Sequence, residues 1–411
     1  MAKRVLILVE GHRSNGPLYI EAAKRLDLLP ITLSKDPAQY DYLISEELQA
    51  IGVDTDDLDA IIGVCRKLQA GYDLVGITGF TGLDESLYVT VAKLCQHFGL
   101  PGPAPAAIER SCNKFIQREL LADSGIPMPA YRSAFSAIEV EKSAVDIGLP
   151  VIVKPAMGSG SSGVRLCRTA EEVAEHACHL LSENDKWPSP SEILIEEFAK
   201  GPSYTALTMG SEIVGITSNI FGPPPHFVYR EFTYPAVLAG PARKRIASVS
   251  RDCLRALGLG WGPANIELRW TARGPVVIEV NPRLAGGDPQ LVQLAQGIDL
   301  VLEHVKLVVG YKWDLRRTRS YTAAMRFLVP DSDGILDSIG GDARATAVSG
   351  VVEVKFYKQL NAPIVLKGDY RDCIGHVIAA SPSATRTAAV LQRGVDLVSW
   401  SVTPFSNPGS I

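Results

Sequence analysis

A chain of 411 residues, 46% hydrophobic and 21% charged, is long enough for several packed cores, and its length suggests two to four domains. The formal net charge of −4, with no local cluster of Lys and Arg, leaves no electrostatic footprint for nucleic acid, and no run approaches the ~18 apolar residues of a membrane span. Seven scattered cysteines without a C-x-x-C pair fit reduced thiols, so a cytoplasmic protein is expected.

In chain order, MAKRVLILVEGH reads as a first strand at 4–9 rather than a signal peptide, because Glu10 ends the apolar run. A helix over 18–26, strands at 30–33 and 73–78, and the helix-like YVTVAKLCQHFG alternate in the manner of a parallel sheet, ending at the turn PGPAP (101–105). Ser111 is the expected N-cap of a helix over 112–125 with Gly125 as its stop, and Pro127 and Pro129 then force the chain out extended. A small α/β lid follows from Tyr131 to Phe198. It reads as strand PVIVKP, a glycine and serine loop, strand VRLC, helix TAEEVAEHACHLL, a polar loop over 184–192 and strand EILIEEF. Beyond it come strands with helices at 243–258 and from Pro289 to Val309. The last hundred residues are strand-rich, with a helix at 384–394 and a strand at 396–402.

Two motifs carry chemistry. Residues 158–163, GSGSSG, satisfy G-x-G-x-x-G, but a strand follows where a dinucleotide fold needs a helix, and Val164 stands where a P-loop needs lysine. The kinase motifs H-R-D and D-F-G are missing as well. What remains is a hairpin tip of free N–H groups and hydroxyls, preceded by Lys154, which is either a surface turn or a cover for phosphates. The second motif is a pair of strands, NIELRW (265–270) and VVIEVN (276–281), at hairpin spacing. Period-two alternation puts Glu279 and Asn281 on one face, with Val276, Ile278 and Val280 on the other, and pairing can add Glu267 to the polar face. Such an all-oxygen set suits Mg2+, while a solvated edge is the plainer alternative. Arg283 and the double glycine Gly286 and Gly287 follow, a guanidinium for a carboxylate or phosphate beside open backbone. His176 and His179, three apart on the lid helix beside Glu172, and Cys112, without a histidine partner, are set aside as a metal site and a nucleophile.

Taken in order, Lys114, VIVKPAMGSGSSGV, IEEFAKGPSYT, NIEL and IEVNPRLAGG resemble the ATP-grasp superfamily over about Ser111 to Asp288, and within it the L-amino acid ligases. The resemblance implies an ATP-grasp fold, part α/β and part α+β. Its expected parts are an N-terminal parallel α/β domain (1–105), a linker helix (106–130), a lid subdomain (131–203), a catalytic subdomain with an antiparallel sheet (204–310) and a C-terminal α+β domain (311–411). It implies ATP and Mg2+, with Mn2+ as a substitute. Lys114 and Lys154 would contact the ATP phosphates, and Gly158, Ser159, Gly160, Ser161, Ser162 and Gly163 would fold over them. Glu196 would receive the adenine amino group, with Glu197, Phe198, Ala199 and Ser203 around the nucleotide, and Glu267, Glu279 and Asn281 would hold the metal. Arg283 would stabilise the transferring phosphoryl group, and the substrates would meet Arg283, Gly286, Gly287, Arg230, Glu231 and His226. The sequence departs from the family at Ser203, where a ribose-binding Glu is usual, at Asn265, where a His is usual, and at Tyr229 and Phe232, where the substrate segment usually has Glu and His.

The activity so implied is ATP-dependent ligation of a small carboxylate to an amine through an acyl-phosphate, in a protein expected to form a homodimer and to bind neither nucleic acid nor membrane. A carboxylase or purine-pathway ligase is the alternative within the superfamily. A non-catalytic nucleotide-binding regulator is the alternative outside it.

Overall fold

A computed structural model describes residues 2–12, 14–45, 48–80, 85–182 and 192–405; most of the polar loop expected at 184–192 lies outside them. The N-terminal unit comprises β1 (Lys3–Val9), α1 (Asn15–Arg25), β2 (Leu29–Ser34), α2 (Asp41–Ser45), β3 (Ala50–Gly52), α3 (Leu58–Gln69), β4 (Tyr72–Gly79) and α4 (Ser86–Phe98). Its strands are parallel in the order β3-β2-β1-β4. Val5 to Val9 are all buried, because helices cover both faces of a parallel sheet, and this explains the unbroken apolar run.

Two helices link this unit to the lid. The expected single helix capped by Ser111 is instead α5 (Pro105–Cys112) and α6 (Lys114–Asp123), and Ser111 Oγ donates to Ala107 O inside the last turn of α5. Asn113 is the true cap: it is extended, and its Oδ1 accepts from the N–H groups of Phe115 and Ile116 at 2.8 and 3.0 Å. Gly125, at φ 67°, ends the segment as expected.

The lid holds β5 (Tyr131–Ala134), α7 (Ala137–Ile147), β6 (Val151–Pro155), β7 (Arg165–Cys167), α8 (Ala170–Ser182) and β8 (Ile193–Glu197), with an antiparallel sheet in the order β5-β8-β6-β7. The expected hairpin around GSGSSG is thus β6–β7. Helix α7 is absent from the sequence reading, although Ser136 caps it: Ser136 Oγ accepts from Glu139 N–H, and Glu139 Oε2 accepts from the N–H of Phe135, the residue before the cap.

The rest of the chain provides β9 (Ser203–Met209), β10 (Glu212–Phe221), β11 (Tyr229–Tyr234), α9 (Gly240–Leu257), β12 (Pro263–Thr271), β13 (Gly274–Asn281), α10 (Asp288–Gln296) and α11 (Leu300–Val308). It continues with β14 (Thr322–Leu328), β15 (Gly334–Gly340), α12 (Asp342–Thr346), β16 (Val351–Phe356), β17 (Pro363–Ile364), β18 (Gly375–Ser381), α13 (Ala384–Leu397) and β19 (Ser399–Thr403). Two expectations change here. The helix from Pro289 to Val309 is broken at Gly297, whose φ of 71° ends α10 before Asp299 caps α11. Asp396 and Leu397 belong to α13 rather than to the final strand. Eight strands form one sheet in the order β13-β12-β9-β10-β11-β14-β18-β16, so strands on both sides of residue 311 share a ladder. Among the described residues no helix is long and apolar enough to cross a membrane.

Helix α6 covers the free edge of this large sheet. Its buried face is Lys114, Gln117, Arg118 and Leu121, at i, i+3, i+4 and i+7. The Gln117 amide completes the ladder that β13 lacks on that side, accepting from Val280 N–H at 3.0 Å and donating to Val280 O at 2.9 Å. An unpaired edge at this position would otherwise leave buried peptide groups unsatisfied.

Candidate active site

The β12–β13 hairpin sets Glu267 opposite Glu279 and Asn265 opposite Asn281. A bulge at this point corrects the simple alternation. Leu268 pairs with Val277, so Ile278 is the extra residue and lines the cleft, while Val277 and Val280 fill the core. Burial and then the facing Glu279 push the Glu267 carboxyl up to about 7. Burial also opposes the charge on Glu279, but Lys114 and Lys154 outweigh it and keep that carboxyl below its ordinary value. Asn281 Nδ2 donates to Asn265 Oδ1 at 3.2 Å, and Asn265 Nδ2 donates to Arg283 O at 3.0 Å. This chain of amides leaves Asn281 Oδ1 buried with no hydrogen-bond partner in the protein. Two carboxylates and an orphaned amide oxygen are hard donors that fit Mg2+. Among the described residues no group of three or more His, Cys, Asp or Glu is placed to hold a metal.

Lys114, Lys154 and Arg283 are the cations that act on this set. Lys114 Nζ lies 3.0 Å from Glu279 Oε1 and 2.5 Å from Gly158 O, tying the glycine loop to the hairpin. Burial works against its charge, yet Glu279, Glu85 and Glu267 hold its pKa above the ordinary lysine value. Lys154 lies 2.6 Å from Glu196 Oε2, and fully buried Arg118 holds Glu196 Oε1 at 2.5 Å. Burial opposes ionisation of Glu196, but these two cations hold its pKa below the ordinary value. Burial, with Arg118 adding to it, pushes Lys154 below the ordinary lysine value despite its pairing with Glu196. Both Glu196 oxygens are therefore engaged by cations, and the side chain helps to place Lys154 in the cleft. Arg118 was missed in the sequence, though its position four residues after Lys114 puts it on the same helix face.

The loop between β6 and β7 is built for close approach. Gly158, Gly160, Ser161 and Gly163 all have positive φ, and Gly158 to Ser162 line the cleft. His176 Nε2 lies 2.9 Å from Gly163 O, a structural role for a histidine that also stacks on His179. From the far end of the chain, Tyr370 N–H donates to Gly160 O at 3.2 Å and Arg371 donates to Ser162 Oγ at 3.2 Å. The lid tip is thus held by the C-terminal region.

Arg283 donates to buried Glu85, the residue before α4, through Nε at 3.1 Å and Nη2 at 3.0 Å. Glu85 gives no local sequence signal, because the partnership spans 198 positions. Cys112 is buried beneath it, with Sγ 3.2 Å from Glu85 O.

The cleft encloses about 940 Å3, open solvent included, and also takes in Glu197, Phe198, Ala199, Ser203, Phe221, Phe227, Tyr229 and Arg269. Arg269 is stacked on Phe221 and Phe227, with centroid distances of 5.0 and 5.8 Å, and is the register partner of Ser203. A cation therefore stands beside the position where the family usually has a carboxylate. Three expected substrate contacts lie elsewhere. Glu231 is paired with Arg326 at 2.5 Å across β11 and β14, because a bulge after Tyr229 turns it to the other face while Tyr229 and Phe232 meet edge-on. Arg230 reaches Val329 O at 3.3 Å, and His226 packs against Gly368. At Gly286 a Cβ would meet open space, whereas Gly287 is required by its φ of 86° and by Met325 beside it.

Asp288, next in sequence, is buried and accepts a hydrogen bond from Thr217 Oγ1 at 2.5 Å. Burial raises its carboxyl to about 6, above its unfolded value, so its stabilising contribution is full below about pH 4 and lost as pH rises through 6. Asp288→Asn keeps the shape without titrating. It is expected to be more stable than the parent at pH 7.5 by about 2–3 kcal/mol, with the gap narrowing to about 1 kcal/mol at pH 4.5. Urea unfolding at the two pH values checks this, and a gap that does not change with pH would refute it.

Residues 147–290 match the family of ATP-grasp domains, and residues 326–403 match the L-amino acid ligase C-terminal domain 2. Uncharacterized protein y4rH of Sinorhizobium fredii is 51% identical over 98% of this chain and 84% of its own length. Human carnosine synthase 1 is 28% identical over 74% of this chain, which spans 40% of the length of that relative. The crystal structure of L-amino acid ligase from Bacillus licheniformis superposes with a TM-score of 0.83 at 19% identity, covering 98% of this chain and 99% of that one.

Proposed function

The chain belongs to the ATP-grasp superfamily, as a carboxylate–amine ligase of the L-amino acid ligase type, and on that premise we propose that it joins an amino acid or small carboxylic acid to an amine or second amino acid through an acyl-phosphate. The observation that carries this reading is the orphaned Asn281 Oδ1 beside Glu267 and Glu279, directly under a phosphate-covering loop with two buried lysines. The name of the superposing ligase, which describes ligation of amino acids, supports it.

Glu267, Glu279 and Asn281 would hold Mg2+, which supplies charge neutralisation on the transferring phosphoryl group. Lys114, Lys154 and the loop amides position the ATP phosphates. A substrate carboxylate oxygen attacks the γ-phosphorus, the bond to the bridging oxygen breaks, and ADP leaves with that electron pair. Arg283 offsets the charge on the acyl-phosphate, and the amine then attacks the acyl carbon and expels phosphate. No nucleophilic side chain is required, since positioning and charge do the chemistry. The lid, held by Tyr370 and Arg371, excludes the water that would hydrolyse the intermediate.

A screen of amino acids, small dicarboxylates and amines in pairs tests the reading by ADP release and product mass. The expected result is ADP release that needs both an acid and an amine, with a product equal in mass to their sum less one water. No turnover with any pair would overturn it.

A further inference from the structure

Arg283 lines a second cavity besides the nucleotide cleft. This cavity lies where the carboxyl end of β4 meets the chain leaving β13, and its walls include Tyr19, Phe80, Tyr88, Trp261 and Leu284. The rings are fixed against one another: Tyr19 and Phe80 meet edge-on with centroids 4.6 Å apart, and Trp261 meets His304 edge-on at 6.0 Å. The polar groups in the wall, Asn15, Thr78 and His304, are buried and uncharged. Tyr19 Oη lies 2.5 Å from His304 Nδ1, and burial lowers the imidazole to about 3, so it stays neutral. Among the described residues, Arg283 is the one charged residue in the lining.

A wall of this kind selects by chemistry. A cationic side chain entering it would lose its water beside the Arg283 guanidinium, and an anionic one would compete with the reacting carboxylate for that same group, whereas an apolar body gains roughly 25 cal/mol for each Å2 it buries. Resting on the ligase reading above, we propose that this cavity receives the body of the acid substrate, with its carboxylate on Arg283, and that the enzyme activates acids carrying uncharged apolar or aromatic side chains. Because Arg283 borders both cavities, a carboxylate held there faces the γ-phosphate side of the nucleotide cleft. The step balances as one bond formed, from carboxylate oxygen to γ-phosphorus, and one broken, with the electron pair leaving on ADP.

Trapping with hydroxylamine under saturating MgATP tests this without knowledge of the amine, since an acyl-phosphate yields a hydroxamate. L-Phenylalanine, L-leucine and L-methionine are expected to give kcat/KM at least about tenfold above L-aspartate and L-lysine. Equal or better turnover of the charged acids overturns the proposal and leaves the ligase reading standing, while hydroxamate from none of the acids overturns both. Trp261→Leu is expected to raise KM for the preferred acid about tenfold with KM for ATP unmoved. Leu284→Val gives the same readout on a smaller scale if the tryptophan variant does not fold. A variant that raises both KM values alike overturns the assignment.

Discussion

Glu279→Gln is expected to lower kcat/KM for ADP release by about 10^3, some 4 kcal/mol of transition-state stabilisation, while leaving the fold intact. The argument starts from the pairing. Glu279 touches Lys114 at 3.0 Å and faces Glu267, which burial and like charge push up to about 7. The glutamine amide oxygen still accepts a hydrogen bond from Lys114, so packing and the link to Gly158 O survive. What is lost is the one carboxylate that the surrounding lysines keep ionised, and with it the anchor for Mg2+. Calorimetry should therefore show weaker Mg2+ binding by at least about tenfold, independent of turnover. A variant retaining more than a tenth of parental activity, or binding the metal unchanged, would remove Glu279 from the proposed role.

Local patterns were the legible part of this protein. The parallel-sheet run at Val5 to Val9, the hairpin carrying Glu267 and Glu279, and the loop at Gly158 to Gly163 all follow from alternation and turn chemistry within a few residues. Helix α7 was not read, although Ser136 and Glu139 mark its start. What could not be read were bulges and distant partners. One extra residue at Ile278 and one near Tyr229 reverse which side chains face the cleft, and no local signal marks either. Glu85 and Arg371 reach Arg283 and Ser162 across 198 and 209 positions, so only the closed fold brings them together. Glu196 lines the cleft as the resemblance implied, while its pairing with Arg118 and Lys154 gave no local signal.

Arg118→Met should destabilise the protein by about 3–5 kcal/mol, the usual cost of removing one partner from a buried ion pair. Arg118 is fully buried and joins three segments at once: its own helix α6, Glu196 at the end of β8, and Ile278 O at the bulge of β13. Methionine fills much of the volume but leaves Ile278 O without its donor and Glu196 with Lys154 alone. The consequence for function follows from charge. Without Arg118, Lys154 becomes the sole counterion of Glu196, is drawn more firmly to it, and is less available to phosphates. KM for ATP should therefore rise by about tenfold in the folded fraction. Urea unfolding of the single variants and of Arg118→Met with Glu196→Gln distinguishes a coupled pair from a packing defect, because coupling makes the double variant lose less than the sum. Strict additivity, or a loss below 1 kcal/mol for Arg118→Met, would mean that the buried triad does not hold the lid to the catalytic hairpin.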